Sequence, residues 1–188
     1  MKARVALLLV ALLPVACAPE SPPPDVAVLP PGVFGGGDQD AAAIQYAEYV
    51  FSDSSRTYGT PAAGARAALA MDYIAGELSA SPRWASIGPE TKFELLQARD
   101  QTRAAAGIAP NAPSQAVVNS LIAAASELQA GDQAQAAVAL NNRAFTGTPD
   151  QTLQRLANLP YNQMANAATT HAATELLDPG NNASGFIE

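Results

Sequence analysis

A histidine and a glutamate at helical spacing are the first candidates for proton-transfer chemistry. His171 is the only histidine of the chain, and Glu175 follows four residues later. Residues at this spacing are neighbours on a helix surface, and an imidazole beside a carboxylate can exchange protons near neutral pH. The alternative is a boundary residue without a ligand. We expect no metal site, because zinc requires further ligands beside this histidine.

Three basic side chains form a second candidate, a site for a phosphate or carboxylate group. Lys92, Arg99 and Arg103 fall within about 40° of one another on a predicted helix at 100° per residue. Guanidinium groups bind such oxyanions through paired hydrogen bonds. The competing interpretation is a solvated helix face on which Arg103 pairs with Asp100, three residues before it.

Asparagines supply a third set of candidates. Asn162, Asn166 and Thr170 recur at four-residue spacing on the last predicted helix, away from its apolar face. They are either solvated or line a polar groove for a glycan or peptide. Asn141 differs, because the periodicity of the fifth helix places it inside the apolar arc. A buried amide must be hydrogen-bonded, either to a neighbouring loop or to a ligand.

Recognisable catalytic motifs are missing from the sequence. It contains no G-x-S-x-G, no H-E-x-x-H, no glycine-rich phosphate loop and no C-x-x-C. Glu90 and Glu94 share a predicted helix face, but acids at this spacing are common on helices. We therefore predict no catalytic residue and no cofactor.

The elements that must position these residues are predicted to be helices, because strand signals are almost absent after Gly37. Capping residues and prolines predict helix starts near residues 38, 61, 89, 114, 133, 149 and 160. The helix 61–79 is apolar on two sides, which is typical of a helix surrounded by partners. We expect an all-α protein, an irregular bundle of five to seven short helices around this one.

The first residues of the chain have the pattern of an export signal. Lys2 and Arg4 precede an apolar run over residues 5–15, which is too short to span a bilayer stably. The motif LPVAC at residues 13–17 follows, and its Cys17 is the only cysteine of the chain.

This motif resembles the lipobox of bacterial lipoprotein precursors, although Pro14 stands where that pattern prefers leucine. The resemblance implies removal of a signal peptide, residues 1–16, and lipidation of Cys17. Ala18 follows where lipoproteins retained in the inner membrane often carry aspartate, so the inner leaflet of the outer membrane is favoured. The alternatives are ordinary secretory cleavage after Ala18, which Pro19 disfavours, and a retained signal anchor.

The remaining chain is divided by composition into three parts. Residues 17–37 are rich in proline and glycine and predict a tether, with Val26, Val28, Leu29 and Phe34 able to dock part of it on the domain. Residues 38–180 form the helical domain, and 181–188 a disordered tail. All 17 acidic residues but only eight basic ones follow Cys17. This acidic excess excludes nucleic acid as a partner.

The sequence favours a non-catalytic function at the cell envelope. A firm lipid anchor, a spacer and small-residue helices suit a periplasm-facing scaffold or accessory subunit, whose partners are the membrane and another envelope protein. One alternative is a module that binds a small ligand or glycan. The other is an enzyme acting on peptidoglycan through a glutamate on a helix.

The variant Cys17→Ser tests the anchor. We expect the unaltered chain in the membrane fraction and the variant in the soluble periplasmic fraction, because several acyl chains attach a protein stably. Cell fractionation and intact mass of the purified protein measure this. Finding both forms already free of the membrane would contradict lipidation.

Overall fold

The computed structural model describes residues 25–178 and confirms the all-α class. This part of the chain forms seven α-helices, which are α1 Gln39–Phe51, α2 Pro61–Ala80, α3 Pro89–Ala106, α4 Ser114–Gln129, α5 Gln133–Leu140, α6 Pro149–Ala157 and α7 Gln163–Leu177. Short 3-10 turns occupy Ser54–Arg56 and Pro82–Trp84. None of the helices within 25–178 has the length and apolarity needed to cross a membrane. The predicted lipobox, Cys17 and the tail 181–188 lie outside the described residues.

Helix α2 is the central helix, as its two apolar sides predicted. It packs against α1, α3, α4 and α6, and thirteen of its twenty residues are buried. Small residues allow this crowding. A Cβ at Gly64 would lie 1.8 Å from the carbonyl oxygen of Leu156, so α6 approaches the backbone of α2 directly. Helix α7 completes the bundle by packing against α1 and α3.

The segment 25–34, here called the leading segment, lies within the predicted tether and packs on the helices, as was expected for part of it. Ala27 and Leu29 are buried, whereas Val26 and Val28 point outward. The backbone of Val28 exchanges two hydrogen bonds, of 2.7 and 3.1 Å, with the side chain of Gln115 on α4. From Asp25 onward the chain is therefore laid along the helices, because alternate apolar residues can be buried there.

Arg103 lies inside the bundle and not on a solvated face, which corrects the prediction made for it. The residue is 3% exposed, and its guanidinium faces the equally buried Asp72 of α2. Nε donates to one carboxylate oxygen at 2.6 Å and Nη2 to the other at 2.7 Å. The predicted partner Asp100 is exposed and lies instead 3.9 Å from Arg99.

The remaining guanidinium donors of Arg103 form hydrogen bonds with the α3–α4 loop and with the first residue of α4. Nη1 donates to the carbonyl oxygens of Pro110 and Ala112, both at 3.0 Å, and Nη2 donates to Ser114 Oγ at 2.8 Å. The Ser114 amide donates in turn to the Asp25 carboxylate at 2.5 Å. Burial by itself would lower the pKa of Arg103, but the hydrogen bonds and charge of Asp72 outweigh it and raise this pKa.

Two helix boundaries differ from their predictions. Helix α5 ends at Leu140, so Asn141 is exposed beyond the helix and not buried in its apolar arc. Helix α7 begins at Gln163 and not at Pro160, because Asn162 caps it by accepting a hydrogen bond from the Ala165 amide at 3.0 Å. The helix start predicted near residue 149 is confirmed, and Thr148 and Gln151 form a capping box there.

Removing one partner of the buried ion pair tests its role. We expect Arg103→Met to lower the free energy of unfolding by about 3–5 kcal/mol, because the carboxylate of Asp72 is left buried without its partner. The double variant Asp72→Asn/Arg103→Met is expected to lose less than the sum of the two single losses. Urea denaturation measures all three variants, with exposed Arg143→Met as the control. Additive losses would contradict the pairing.

Candidate functional site

An open pocket of about 530 Å³ lies between the end of α1, residues 94–105 of α3, the α6–α7 loop and the start of α7. We call it the α3/α7 pocket. Its volume falls within the range of about 300–1,000 Å³ common for small-ligand sites. The apolar part of its lining, here called the apolar wall, contains Phe51, Leu159, Pro160 and Met164. The polar wall comprises lining residues with hydrogen-bonding groups, among them Glu94, Gln101, Thr102 and Gln163. The pocket therefore combines the two kinds of surface that ligand sites use.

Helices α3 and α7 run antiparallel and are joined at the end away from the pocket. The Glu175 carboxylate accepts hydrogen bonds from the Gly88 amide at 2.6 Å and the Thr91 hydroxyl at 2.7 Å. A carboxylate is favourable at the start of α3, where the helix dipole presents partial positive charge. The halves that lie beyond this junction enclose the pocket.

The predicted pairing of His171 with Glu175 is wrong, because Glu175 caps α3 instead. His171 Nδ1 lies 2.7 Å from Glu94 Oε2 on α3. The imidazole is about half exposed, and the side chain of Glu94 is 20% exposed. Glu94 also lines the α3/α7 pocket. Helical spacing alone does not single out Glu94, since only the antiparallel packing of α7 on α3 gives it a partner.

Thr102 lines the α3/α7 pocket and is buried, yet its Oγ1 has no hydrogen-bond partner in the described part of the chain. Gln39 Oε1 and two nitrogens of Arg99, elsewhere in residues 25–178, also lack one. Other buried threonines are bonded, as Thr169 Oγ1 is to the Ala165 carbonyl at 2.7 Å and Thr152 Oγ1 to the Thr148 carbonyl at 3.2 Å. A buried polar group without a partner is costly, so Thr102 is a candidate contact for a ligand in this pocket.

The residues at four-residue spacing, Asn162, Asn166 and Thr170, lie in three different environments. Asn162 lines the pocket while its side-chain oxygen caps α7. Asn166 donates through Nδ2 to the phenol oxygen of Tyr161 at 2.8 Å. This contact orients an aromatic ring that lines the pocket and remains 53% exposed. Thr170 is exposed and lies outside this pocket.

The three basic residues Lys92, Arg99 and Arg103 do not form one site. Arg103 is engaged with Asp72, and Lys92 and Arg99 are both partly buried on α3. Arg99 has two guanidinium nitrogens, Nε and Nη1, that are buried without a hydrogen-bond partner within residues 25–178. None of these three residues lines the α3/α7 pocket.

A larger but more open depression, about 650 Å³, lies beside the start of α4 and residues 142–144. Its polar groups are mostly satisfied by the protein itself. Asn142 Nδ2 donates to Ser120 Oγ at 2.9 Å and to the Ala139 carbonyl at 3.0 Å, and its Oδ1 accepts from the Ala144 amide. We therefore place the candidate site in the α3/α7 pocket.

A second polar cluster lies at the start of α1 and is closed. The buried carboxylate of Asp40 accepts hydrogen bonds from the Tyr73 hydroxyl at 2.5 Å, Arg83 Nη1 at 2.9 Å and Trp84 Nε1 at 3.1 Å. Each acceptor oxygen is occupied, which leaves this cluster a structural role. Residues 25–178 hold no group of three or more His, Cys, Asp or Glu that could bind a metal ion.

The chain matches no protein-family model, no curated protein and no solved structure. Its function must therefore be argued from the geometry and chemistry of the site.

The Asp40 cluster predicts a pH dependence of stability. Burial, the hydrogen bond to Asp40 and the charge of Asp40 raise the pKa of Tyr73 far above its ordinary value, which is about 10. Unfolded tyrosine loses its proton near that pH, whereas Tyr73 keeps it in the folded protein. The stabilisation is therefore complete below about pH 10 and declines above it, by at most about 1.4 kcal/mol per pH unit.

We expect Tyr73→Phe to lower stability at pH 7 by about 1 kcal/mol and to reduce the decline above pH 10. Urea denaturation between pH 7 and pH 11 measures both effects. Tyr58→Phe is the control, since Tyr58 is exposed. Parallel losses for Tyr73→Phe and the unaltered chain above pH 10 would refute the linkage.

Proposed function

We propose that this protein is a lipid-anchored, non-catalytic binding module of the cell envelope that holds a small ligand in the α3/α7 pocket. The observation that carries the proposal is the pocket itself, whose lining combines apolar side chains with a buried threonine, Thr102, whose hydroxyl group has no partner within residues 25–178. The exposed apolar lining and the unpaired hydroxyl both lower the stability of the free protein, and a ligand that covers the first and pairs with the second after a side-chain rotation offsets both costs.

The charge of the pocket limits the kind of ligand. Glu94 is the one charged residue among the described residues that line it, and no lysine or arginine contributes. The chain as a whole is also acidic. An anionic ligand would meet only repulsion there, so the proposal is confined to uncharged and cationic ligands.

The leading segment supports an anchored arrangement. It binds Gln115 and Ser114 at the start of α4, and Arg66 of α2 holds it further along by donating to the Val33 carbonyl at 3.2 Å. Helix α4 packs against α2 and α5, whereas the pocket lies where α7 packs against α1 and α3. The chain thus enters the bundle on the α2/α4 side, and its attachment leaves the pocket open.

An accessory role follows naturally from this arrangement. A ligand held at a fixed reach from the membrane can be stored for, or presented to, another protein of the envelope. In this proposal the partner recognises the loaded domain, and the outer membrane's inner leaflet remains the favoured location from the residue after Cys17.

A second candidate function is hydrolysis of an envelope glycan, and one observation favours it. Glu94 is a helix-borne carboxyl group that lines a pocket and contacts His171. General acid catalysis requires such a group beside the scissile bond. The two functions differ in outcome, because a binding module releases its ligand unchanged whereas a hydrolase releases cleavage products. The substitution Glu94→Gln would stop the formation of those products.

A variant that fills the pocket tests the binding proposal. Full chain in detergent is screened by thermal shift against uncharged and cationic small molecules. A ligand present at a hundred times its dissociation constant stabilises by about 2.7 kcal/mol, which raises Tm by about 5–10 °C for a domain of this size. We expect such a shift for the unaltered protein and for Ala123→Phe, an exposed site on α4, but not for Ala167→Phe in the pocket.

The absence of any stabilising compound, or equal shifts in Ala167→Phe, would overturn the proposal. Mass spectrometry of the bound compound after incubation separates the two candidate functions. Recovery of the intact compound supports binding, and products that disappear in Glu94→Gln support hydrolysis.

A further inference from the structure

Tyr161 gives the α3/α7 pocket a stacking surface. Its ring is about half exposed at the pocket, and the hydrogen bond from Asn166 fixes its orientation. An exposed aromatic ring held in place by its own hydroxyl presents a flat apolar face at little entropic cost. The C–H face of a sugar ring is one ligand surface that packs well on such a ring.

The polar wall offers paired donors and acceptors. The amide groups of Gln101 and Gln163 line the pocket and lie on its exposed side. Each can donate and accept hydrogen bonds. The Thr102 hydroxyl can do the same once its side chain rotates toward the pocket, because its oxygen is buried in the free protein. A ligand with hydroxyl or amide groups satisfies these side chains. A quaternary ammonium ligand also suits an aromatic ring beside a carboxylate, but it has no hydrogen-bonding group to offer them.

The apolar wall requires more than hydroxyl groups from the ligand. The apolar wall is formed by Phe51 of α1, Leu159 of the α6–α7 loop and Met164 of α7. A sugar that bears only hydroxyls would desolvate them against this wall without compensation. An acetamido group supplies a methyl group for the wall, an N–H donor for a carboxylate such as Glu94 and a carbonyl acceptor for a glutamine amide.

Resting on the proposed function, we infer that the α3/α7 pocket binds an uncharged sugar unit that carries an acetamido group. The sugar ring stacks on Tyr161, and the acetamido methyl group packs against the apolar wall. The hydroxyls of the sugar pair with the glutamines and with Thr102. The ligand carries no negative charge, since Glu94 would repel it.

Binding of matched oligosaccharides tests this inference by isothermal titration calorimetry of the full chain in detergent. The probes are N,N′,N″-triacetylchitotriose, cellotriose, which has the same linkage without acetamido groups, and choline chloride. We expect the acetylated trisaccharide to bind at least about tenfold more tightly than cellotriose, since its added group fills the apolar wall. Choline is expected not to bind.

Two pocket variants and one control refine the test. Tyr161→Ala is expected to weaken binding of the acetylated trisaccharide by about tenfold or more. Tyr58→Ala leaves it unchanged, because this exposed tyrosine lies away from the pocket. Thr102→Val is expected to weaken binding about three- to tenfold while leaving Tm unchanged or higher, because the free protein loses an unpaired buried hydroxyl. A merely structural threonine would lower Tm and leave the affinity unaltered.

The outcomes separate this inference from the function on which it rests. Equal or tighter binding of cellotriose, or binding of choline alone, overturns the acetamido sugar and leaves a ligand-binding pocket. The same holds if no probe binds but other compounds stabilise the protein and fail with Ala167→Phe. If neither probes nor library compounds bind, both proposals fall.

Discussion

The buried pair of Arg103 and Asp72 is the interaction on which the rest of the structure depends. Arg103 offers five N–H donors, and each has an acceptor on α2, in the α3–α4 loop or at the first residue of α4. Because desolvated charges are stable only when fully paired, this guanidinium fixes the spacing of three helices at once. The leading segment joins the same network through Asp25 and Ser114. Through Arg103, the position of the leading segment is therefore linked to the packing of α2, α3 and α4.

Helix α3 separates a closed polar region from an open one. Arg103 faces Asp72 of α2 and all its donors are paired, whereas its neighbour Thr102 lines the α3/α7 pocket and its hydroxyl group has no partner within residues 25–178. Adjacent residues on a helix point about 100° apart, so one turn of α3 contributes to both regions. The ion pair supports α3 on the side of α2, and we expect a site carried by a supported helix to keep its geometry.

The sequence predicts those features that depend on neighbouring residues and misses those that depend on distant ones. The helix predicted at 61–79 and the helix start near residue 149 follow from local spacing, and both are found. Arg103 was misplaced because a solvated helix face and a buried ion pair have the same periodicity, and its partner Asp72 lies 31 residues away. Local spacing pairs His171 with Glu175, whereas the packing of α7 on α3 brings Glu94 to it instead. No local signal marks Thr102, since a missing hydrogen bond is visible only once every neighbour is in place.

The composition of the core explains why an unpaired hydroxyl is significant in this protein. Within residues 25–178, alanine provides 18 of the 38 buried apolar residues, and each buried alanine removes little apolar surface from water. The margin of stability in such a core is narrow, and the polar networks of Asp72 and Asp40 supply part of it. An unsatisfied buried hydroxyl costs about 1–3 kcal/mol, a considerable fraction of the roughly 5–15 kcal/mol that stabilise a domain. Valine at position 102 would remove that cost at nearly constant volume. In the proposed binding function, threonine at this position is explained by a bound state in which its hydroxyl rotates to a partner in the pocket that Thr102 lines.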